Sequence, residues 1–400
     1  MHNTILNYYD VIVIGAGPAG SVAARFAAEA GCTVLLLERD REPGIPVRCA
    51  EGVSHNGILP FIDINEKWIC ATIDGARFHS PDGNFLDMYH KGLGSNGYIL
   101  DRRIFDRELA DLAVSKGATL LTKADAIGVL KDGENITGVR FRHEKDVIEV
   151  SCKIVIGADG VESQVGRWAG IDTCLALSDV STLCQYTVTN IKIESKICHF
   201  YLGQEIIPGG YLYIFPKSEN SANIGVGMSG DKTLPGKGPR YYLDIFMKAK
   251  FPNASINCMV YGGEPSKAGN ELVKNNVMLV GDAAAQADPI TGGGIVHAMI
   301  AGKYSGKTAG RVIQNNDLSL IKEYPQKWEN HLGKKQRFLY QLKNKVMKIN
   351  DRKFNTIMAV CKKIPQEELT MQRIFKEVII DDPLLLAKLA TDFVISMIKA

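Results

Sequence analysis

The sequence predicts an α/β fold: a parallel sheet assembled from three separated stretches of chain, interleaved with an antiparallel sheet and followed by a helical C-terminal segment. Three observations predict it. A β-branched run at Tyr9–Ile14 leads straight into a glycine turn and a helix pattern. A second strand, glycine turn and helix pattern lies far downstream, at Asn276–Val296. Between them, Tyr211–Phe215 alternates with the period of two that marks a strand with two different faces.

The first element has specific physics. Val11, Ile12, Val13 and Ile14 show no polar alternation, as expected of a strand buried on both faces. Gly15-Ala16-Gly17-Pro18-Ala19-Gly20 follows, then Ala23, Ala24, Phe26, Ala27 and Ala30 at helical spacing. Gly31 ends that helix, Thr33–Leu37 forms a second strand, and Glu38 stands at its C-terminal end. Gly15 makes the tight turn, Gly17 lets a pyrophosphate approach the backbone, and Gly20 permits close helix–strand packing. The helix start at Ala19 adds free N–H groups and the positive end of a dipole. Glu38 lies about 20 residues on, where a carboxylate accepts both ribose hydroxyls and disfavours a 2′-phosphate. This Rossmann-like segment binds a dinucleotide but does not separate FAD from NAD.

The downstream element decides for FAD. The strand Asn276–Val280 ends in Gly281-Asp282-Ala283-Ala284, then Asp288-Pro289-Ile290-Thr291-Gly292-Gly293-Gly294-Ile295, with a helix pattern from Val296. NAD has no use for a second glycine-rich turn, whereas FAD is longer and carries a ribitol chain. Asp282 accepts ribitol hydroxyls. The N–H groups at Gly294 and Ile295 face the flavin N1/O2 edge, where reduced flavin is negative and a helix N-terminus stabilises it.

Composition narrows the class. The chain has 400 residues, 46% hydrophobic and 23% charged, with a net charge of +3. That is an ordinary globular balance, the length fits two domains or one large one, and charge gives no case for a nucleic-acid partner. Nine cysteines are scattered, odd in number and without a C-x-x-C pair. This argues against a disulfide framework, a zinc site or an iron–sulfur cluster, so no metal is expected, and it fits a reducing cytoplasm. Met1 to Asn7 lack a basic n-region followed by an apolar core, so no signal peptide is expected, and no apolar run reaches the ~18 residues of a membrane span.

The pattern resembles the p-hydroxybenzoate hydroxylase superfamily of flavoproteins. Its middle motif is present as Val155-Ile156-Gly157-Ala158-Asp159-Gly160, then Ser163 and Arg167. The resemblance implies two further FAD contacts: Arg102 on the pyrophosphate, with Arg103 as its adjacent alternative, and the backbone of Ala126 on the adenine. Pro46-Val47-Arg48-Cys49-Ala50-Glu51-Gly52 is more particular. It is similar to the R-C-x-E-G element of the geranylgeranyl reductases, especially the archaeal digeranylgeranylglycerophospholipid reductases. Tyr211-Leu212-Tyr213-Ile214-Phe215-Pro216, followed by Gly225-Val226-Gly227, resembles that family's Y-x-W-x-F-P…G-x-G signature, with Tyr213 in place of the usual Trp.

The resemblance implies an FAD-dependent reductase that saturates the double bonds of geranylgeranyl chains in membrane lipid precursors. It places Cys49, Ala50 and Gly52 beside the isoalloxazine. Reduced FAD gives a hydride, and Cys49 donates the proton or gates the flavin face; a packed apolar cysteine is the plainer reading. Alternation puts Tyr211, Tyr213 and Phe215 on one face and Leu212 and Ile214 on the other. The aromatic face then lines a tunnel for an isoprenoid lipid, or simply a sheet core. An external electron donor is implied, either reduced ferredoxin or NAD(P)H. The rival readings are a flavin monooxygenase or halogenase of the same fold, a reductase of the free geranylgeranyl diphosphate, a quinone-linked flavoprotein dehydrogenase and a non-catalytic flavin-binding partner.

The FAD-binding domain is expected over residues 1–65, 98–172 and 270–320. The substrate domain is expected over 66–97 and 173–269, with strands at Leu183–Ile193 and Tyr211–Phe215. Residues 321–400 form the helical region. From Lys327, the cations Lys334, Lys335, Arg337, Lys343, Lys345, Lys348, Arg352 and Lys353, against only Glu329 and Asp351, accompany an apolar stripe of Leu332, Phe338, Leu339, Leu342 and Val346. This reads as a basic amphipathic helix for anionic headgroups on the inner membrane face, or as an ordinary solvated helix. The tail, with Leu384, Leu385, Leu389, Phe393 and Ile398, covers the core or closes the tunnel.

Overall fold

The uninterrupted apolar runs form the parallel sheet, because only strands covered on both faces tolerate them. In the computed structural model, which describes residues 5–268 and 271–379, Tyr8–Ile14 lies between Val34–Leu37 and Asp146–Gly157, parallel to both. Thr119–Leu121 and Val277–Leu279 extend the sheet on either side, again in parallel. The three expected stretches of chain therefore meet in one sheet. Val11, Ile12 and Val13 are fully buried at its centre. Ala124–Asp132 and Asn135–His143 continue from Asp146–Gly157 as an antiparallel meander.

Two helices cover this sheet, Pro18–Glu29 and Ile295–Asn315. They pack through small residues four apart. A side chain on Gly302 would stand 2.3 Å from the Ala19 carbonyl, and one on Gly306 2.3 Å from the Ala23 carbonyl. The backbones therefore touch, and both helix N-termini are brought to the same end of the sheet.

The second sheet has seven strands, in the order Ser255–Pro265, Val180–Thr189, Ser221–Ser229, Gly210–Ser218, Ile197–Leu202, Gly75–His79 and Phe85–Tyr89. The first strand expected there, Leu183–Ile193, is shifted toward the N-terminus and runs Val180–Thr189. It ends at Thr189 because Asn190 turns into the left-handed region at φ 60°. Leu212 and Ile214 face a core closed by the helix Pro239–Lys250, through Leu243 and Met247. A small third sheet, Gly52–Ser54, Gly97–Leu100 and Ile69–Ile73, sits between the other two.

The basic C-terminal stretch is not one helix. Glu323–Trp328 continues unbroken through a π-turn at Glu329–Gly333 into Lys334–Val346; the break comes after Val346, and a separate helix runs Asp351–Cys361. Its apolar stripe packs as expected, with Leu339 and Leu342 buried against Ile290. Lys343 does not belong to a solvated face. It is 4% exposed, and its ammonium donates to the carbonyls of Ser178 and Ser266, which desolvation alone would forbid without those acceptors. Residues 380–400, including the expected apolar tail, lie outside the described residues.

Candidate active site

The glycine turn behaves as its residue types require. Gly15 has φ 101°, and a side chain there would stand 2.3 Å from the Ala158 carbonyl. Gly20 is pressed onto Gly15, its notional Cβ 1.8 Å from the Gly15 carbonyl, so the helix sits directly on the turn. Gly17 differs. Beyond its chain neighbours, no protein atom lies within 4 Å of a Cβ placed there, yet it lines a large cavity. The open space over Gly17 is a cradle that a side chain would fill and a phosphate fits. Glu38 ties this turn to the second strand: its carboxylate accepts the Ala16 and Asp40 N–H groups, both at 2.9 Å.

The cavity over the turn measures about 780 Å³. One wall holds Gly17, Ala19, Arg102, Asp282, Gly294 and Ile295. The facing wall holds Cys49, Ala50, Gly52, Tyr211 and Tyr213. Eleven of the expected residues thus border one space. Gly15 and Gly20 shape the turn without lining it. Glu38 stands behind the turn, and Ala126 lies on the strand that starts beside Glu38, where the Ala124 N–H bonds the Glu38 carbonyl at 2.8 Å; neither borders the cavity. Asp282 has its carboxyl pushed up by burial, opposed by the Arg102 guanidinium. A group that can offer hydroxyls, as ribitol does, suits it.

Arg102 and Arg103 separate clearly. Arg102 opens the helix Arg102–Ser115 and borders the cavity, its guanidinium bound to both oxygens of buried Asp106 at 3.1 and 2.5 Å. Arg103 points outward and pairs with Asp101.

The Arg48–Gly52 loop forms the opposite lip. The Gln185 amide donates to the Cys49 carbonyl at 3.0 Å and accepts from the Tyr213 hydroxyl at 2.9 Å. Burial raises the Cys49 thiol, while Arg102 pulls it down; the thiol is held protonated. Tyr211 donates to the Thr291 carbonyl at 2.7 Å, joining the aromatic strand to the downstream glycine loop. Phe215 stacks edge-on against Phe200 and lies over Gly52, where a Cβ would meet its ring at 2.6 Å.

Beyond these aromatics the cavity becomes apolar. Phe78, Leu86 and Phe200 line one side, with Phe354, Met358 and Met371 from the C-terminal helices closing it. Sequence reasoning missed three participants. Gln185 and Glu264 stand on the seven-stranded sheet and gave no motif. Glu264 reaches the downstream loop, its carboxylate 2.6 Å from a notional Cβ on Gly292; burial with Asp282 and Asp288 nearby pushes its carboxyl well above the usual range. The helix at Asp351–Cys361 lies in the region without a recognised motif. Gln185 and Glu264 occupy cavity-facing strand positions, which pairing reveals and sequence alternation alone does not.

Two helix N-termini at one end of a parallel sheet, a phosphate cradle and an adjoining apolar arm define an FAD-dependent oxidoreductase. The known proteins agree. The family model described as FAD dependent oxidoreductase matches residues 10–200, and the geranylgeranyl reductase catalytic domain matches residues 179–264. The digeranylgeranylglycerophospholipid reductase of Methanosarcina acetivorans is 45% identical over 378 residues, 92% of this chain and 93% of that protein. The crystal structure of a geranylgeranyl bacteriochlorophyll reductase-like protein from Thermoplasma acidophilum superposes with a TM-score of 0.90 at 32% identity, over 96% of this chain and 99% of that one. A flavin-dependent brominase reaches a TM-score of 0.68 at 18% identity, over 94% and 98% of the two chains, a likeness of fold alone. The chain belongs to the digeranylgeranylglycerophospholipid reductase family.

Proposed function

We propose that this protein saturates the geranylgeranyl chains of a digeranylgeranylglycerophospholipid. One observation carries the reading: the cofactor walls, the Cys49 lip and an apolar arm of isoprenoid character share a single cavity. An isolated trisubstituted alkene has no carbonyl to stabilise an added hydride, so its reduction needs a strong hydride donor and a proton delivered to the other carbon. Bound FAD, once reduced, supplies the hydride.

The chain's own residues do the rest. Gly17, Ala19 and the Arg102 guanidinium hold the diphosphate, and Asp282 with the Ile295 helix start holds the ribitol and flavin edge. Tyr211, Tyr213 and Phe215 orient the isoprenoid chain and exclude water from it. Cys49 keeps its proton at rest and delivers it to the alkene carbon. Residues 1–65, 98–172 and 270–320 act as the cofactor domain, and 66–97 with 173–269 as the substrate domain. Reducing equivalents come from an external donor, reduced ferredoxin or a nicotinamide, and the protein works at the inner face of the membrane. Among the described residues no helix is long and apolar enough to cross a bilayer.

The test is direct. Protein reduced with dithionite, without oxygen, is incubated with digeranylgeranylglyceryl phosphate and the lipid is followed by mass spectrometry. Stepwise gain of hydrogen pairs is expected. An unchanged lipid, or one that gains oxygen or halogen, overturns the reading.

A further inference from the structure

Glu51 stands in the loop that carries Cys49, and its surroundings are unusual for a loop carboxylate. It is 2% exposed, and its backbone lies in the left-handed region at φ 72°. A non-glycine residue there costs on the order of 1 kcal/mol and persists only where its neighbours over-determine it. Here they do. The Glu51 N–H meets Cys49 Sγ at 3.2 Å, and the Glu51 carbonyl accepts the Leu100 N–H at 2.9 Å. Carboxylate Oε1 accepts the backbone N–H of Arg102 at 2.9 Å. Oε2 accepts Asn223 Nδ2 at 2.7 Å and the Lys217 ammonium.

These donors come from both sides of the cavity. Arg102 begins the helix whose guanidinium borders the cofactor wall. Lys217 and Asn223 stand on the paired strands Gly210–Ser218 and Ser221–Ser229, the first of which carries Tyr211 and Tyr213. Charges alternate along the seam as Lys217, Glu51, Arg102 and Asp106, with ion pairs at each end. A buried carboxylate so placed is strongly stabilised as a set and costly to break from one side.

We infer that Glu51 is a positioning residue for the reaction: its carboxylate straps the Tyr211–Phe215 strand to the Arg102 helix and so fixes Cys49 where the two walls meet. The inference rests on the proposed role of Cys49, yet it can be tested apart from it. The charged and titratable groups facing the thiol are Arg102, Glu51, Tyr211 and Tyr213.

The experiment uses the full-length flavoprotein, Glu51→Gln and Lys217→Met. Alkylation of the Cys49 peptide by iodoacetamide is followed by mass spectrometry across pH, beside lipid turnover and flavin content. Glu51→Gln removes a negative charge from beside the thiol, so the alkylation midpoint moves down. Lys217→Met leaves that charge less compensated, so the midpoint moves up. Turnover falls about tenfold in each while KM stays within about twofold. Midpoints that stay put, or move the same way, overturn the inference. If Glu51→Gln does not fold, the upward shift in Lys217→Met decides alone. If Cys49→Ala retains full turnover, the catalytic role of Cys49 fails, while the two midpoint shifts still judge the strap.

Discussion

Tyr213 donates its phenol proton to Gln185 at 2.9 Å, and the same Gln185 amide holds the Cys49 carbonyl at 3.0 Å. An aromatic on the strand Gly210–Ser218 is thus linked by one side chain to the loop that carries Cys49. Burial pushes the Tyr213 phenol well above its usual range, so it remains a donor. Tyr213→Phe leaves the Gln185 oxygen without that donor and should cost about 1 kcal/mol of stability. Turnover should drop while flavin content holds. Chemical denaturation and single-turnover assays check both, and a variant with unaltered turnover would disconnect Tyr213 from the thiol loop.

Cys49→Ala should slow lipid reduction by about a hundredfold or more, the scale of one lost proton donor. Its flavin spectrum should match that of the parent protein. Turnover within a factor of two of the parent removes the thiol from the chemistry.

Gly17 and Gly20 should respond in opposite ways to alanine. At Gly17 the added methyl meets no protein atom within 4 Å, so apoprotein stability should hold while FAD affinity falls about tenfold or more, roughly 1.4 kcal/mol. At Gly20 the methyl would stand 1.8 Å from a carbonyl oxygen, so the fold itself should lose about 3 kcal/mol or more. Calorimetry of the apoproteins and flavin titration separate the two. Equal flavin affinities in Gly17→Ala and the parent would contradict the phosphate cradle.

His79 and His199 lie 3.1 Å apart, Nε2 to Nδ1, with the His79 ring stacked 4.1 Å from Tyr201. Burial comes first in lowering both to about 4 from an ordinary 6.5. In this window the unfolded chain takes up protons that the folded protein refuses. Stability is therefore fully present above pH 6.5 and is lost as pH falls toward 4. Thermal melts across that range should show the slope, and His199→Gln should flatten it. An identical slope in the variant would place the acid sensitivity elsewhere.

Glu264 has the opposite sign. Its folded-state carboxyl is raised, first by burial and then by Asp282 and Asp288. The stability it contributes is fully present below the ordinary glutamate range and declines as pH rises through the raised value. Glu264→Gln apoprotein should lose less stability between pH 5 and pH 8 than the parent, by calorimetry, and a parallel decline in both would contradict the assignment.

What the sequence by itself determined follows from short-range physics. The turn at Gly15, the second turn at Gly281–Gly294 and the two-faced strand at Tyr211 are encoded by residue types within a few positions of one another, and each local pattern has one low-energy solution. These sufficed for the fold class and FAD, and the Arg48–Gly52 element together with the Tyr211 strand for the family resemblance. The burial of Lys343 was not legible, because it shows as a surface cation until Ser178 and Ser266 arrive from distant chain. Nor was Gln185, whose part depends on strand pairing that puts it opposite Gly225, next to the Tyr213 strand. Only the tertiary structure separates Arg102 from Arg103 in place: adjacent and equally charged, the first borders the cavity over buried Asp106, while the second points to solvent and pairs with Asp101. The same holds for Glu51, a motif letter in the sequence whose three donors come from residues 102, 217 and 223. Side-chain partners brought together across long chain separations carry no local period, so the closing of the site was written in contacts that only folding makes.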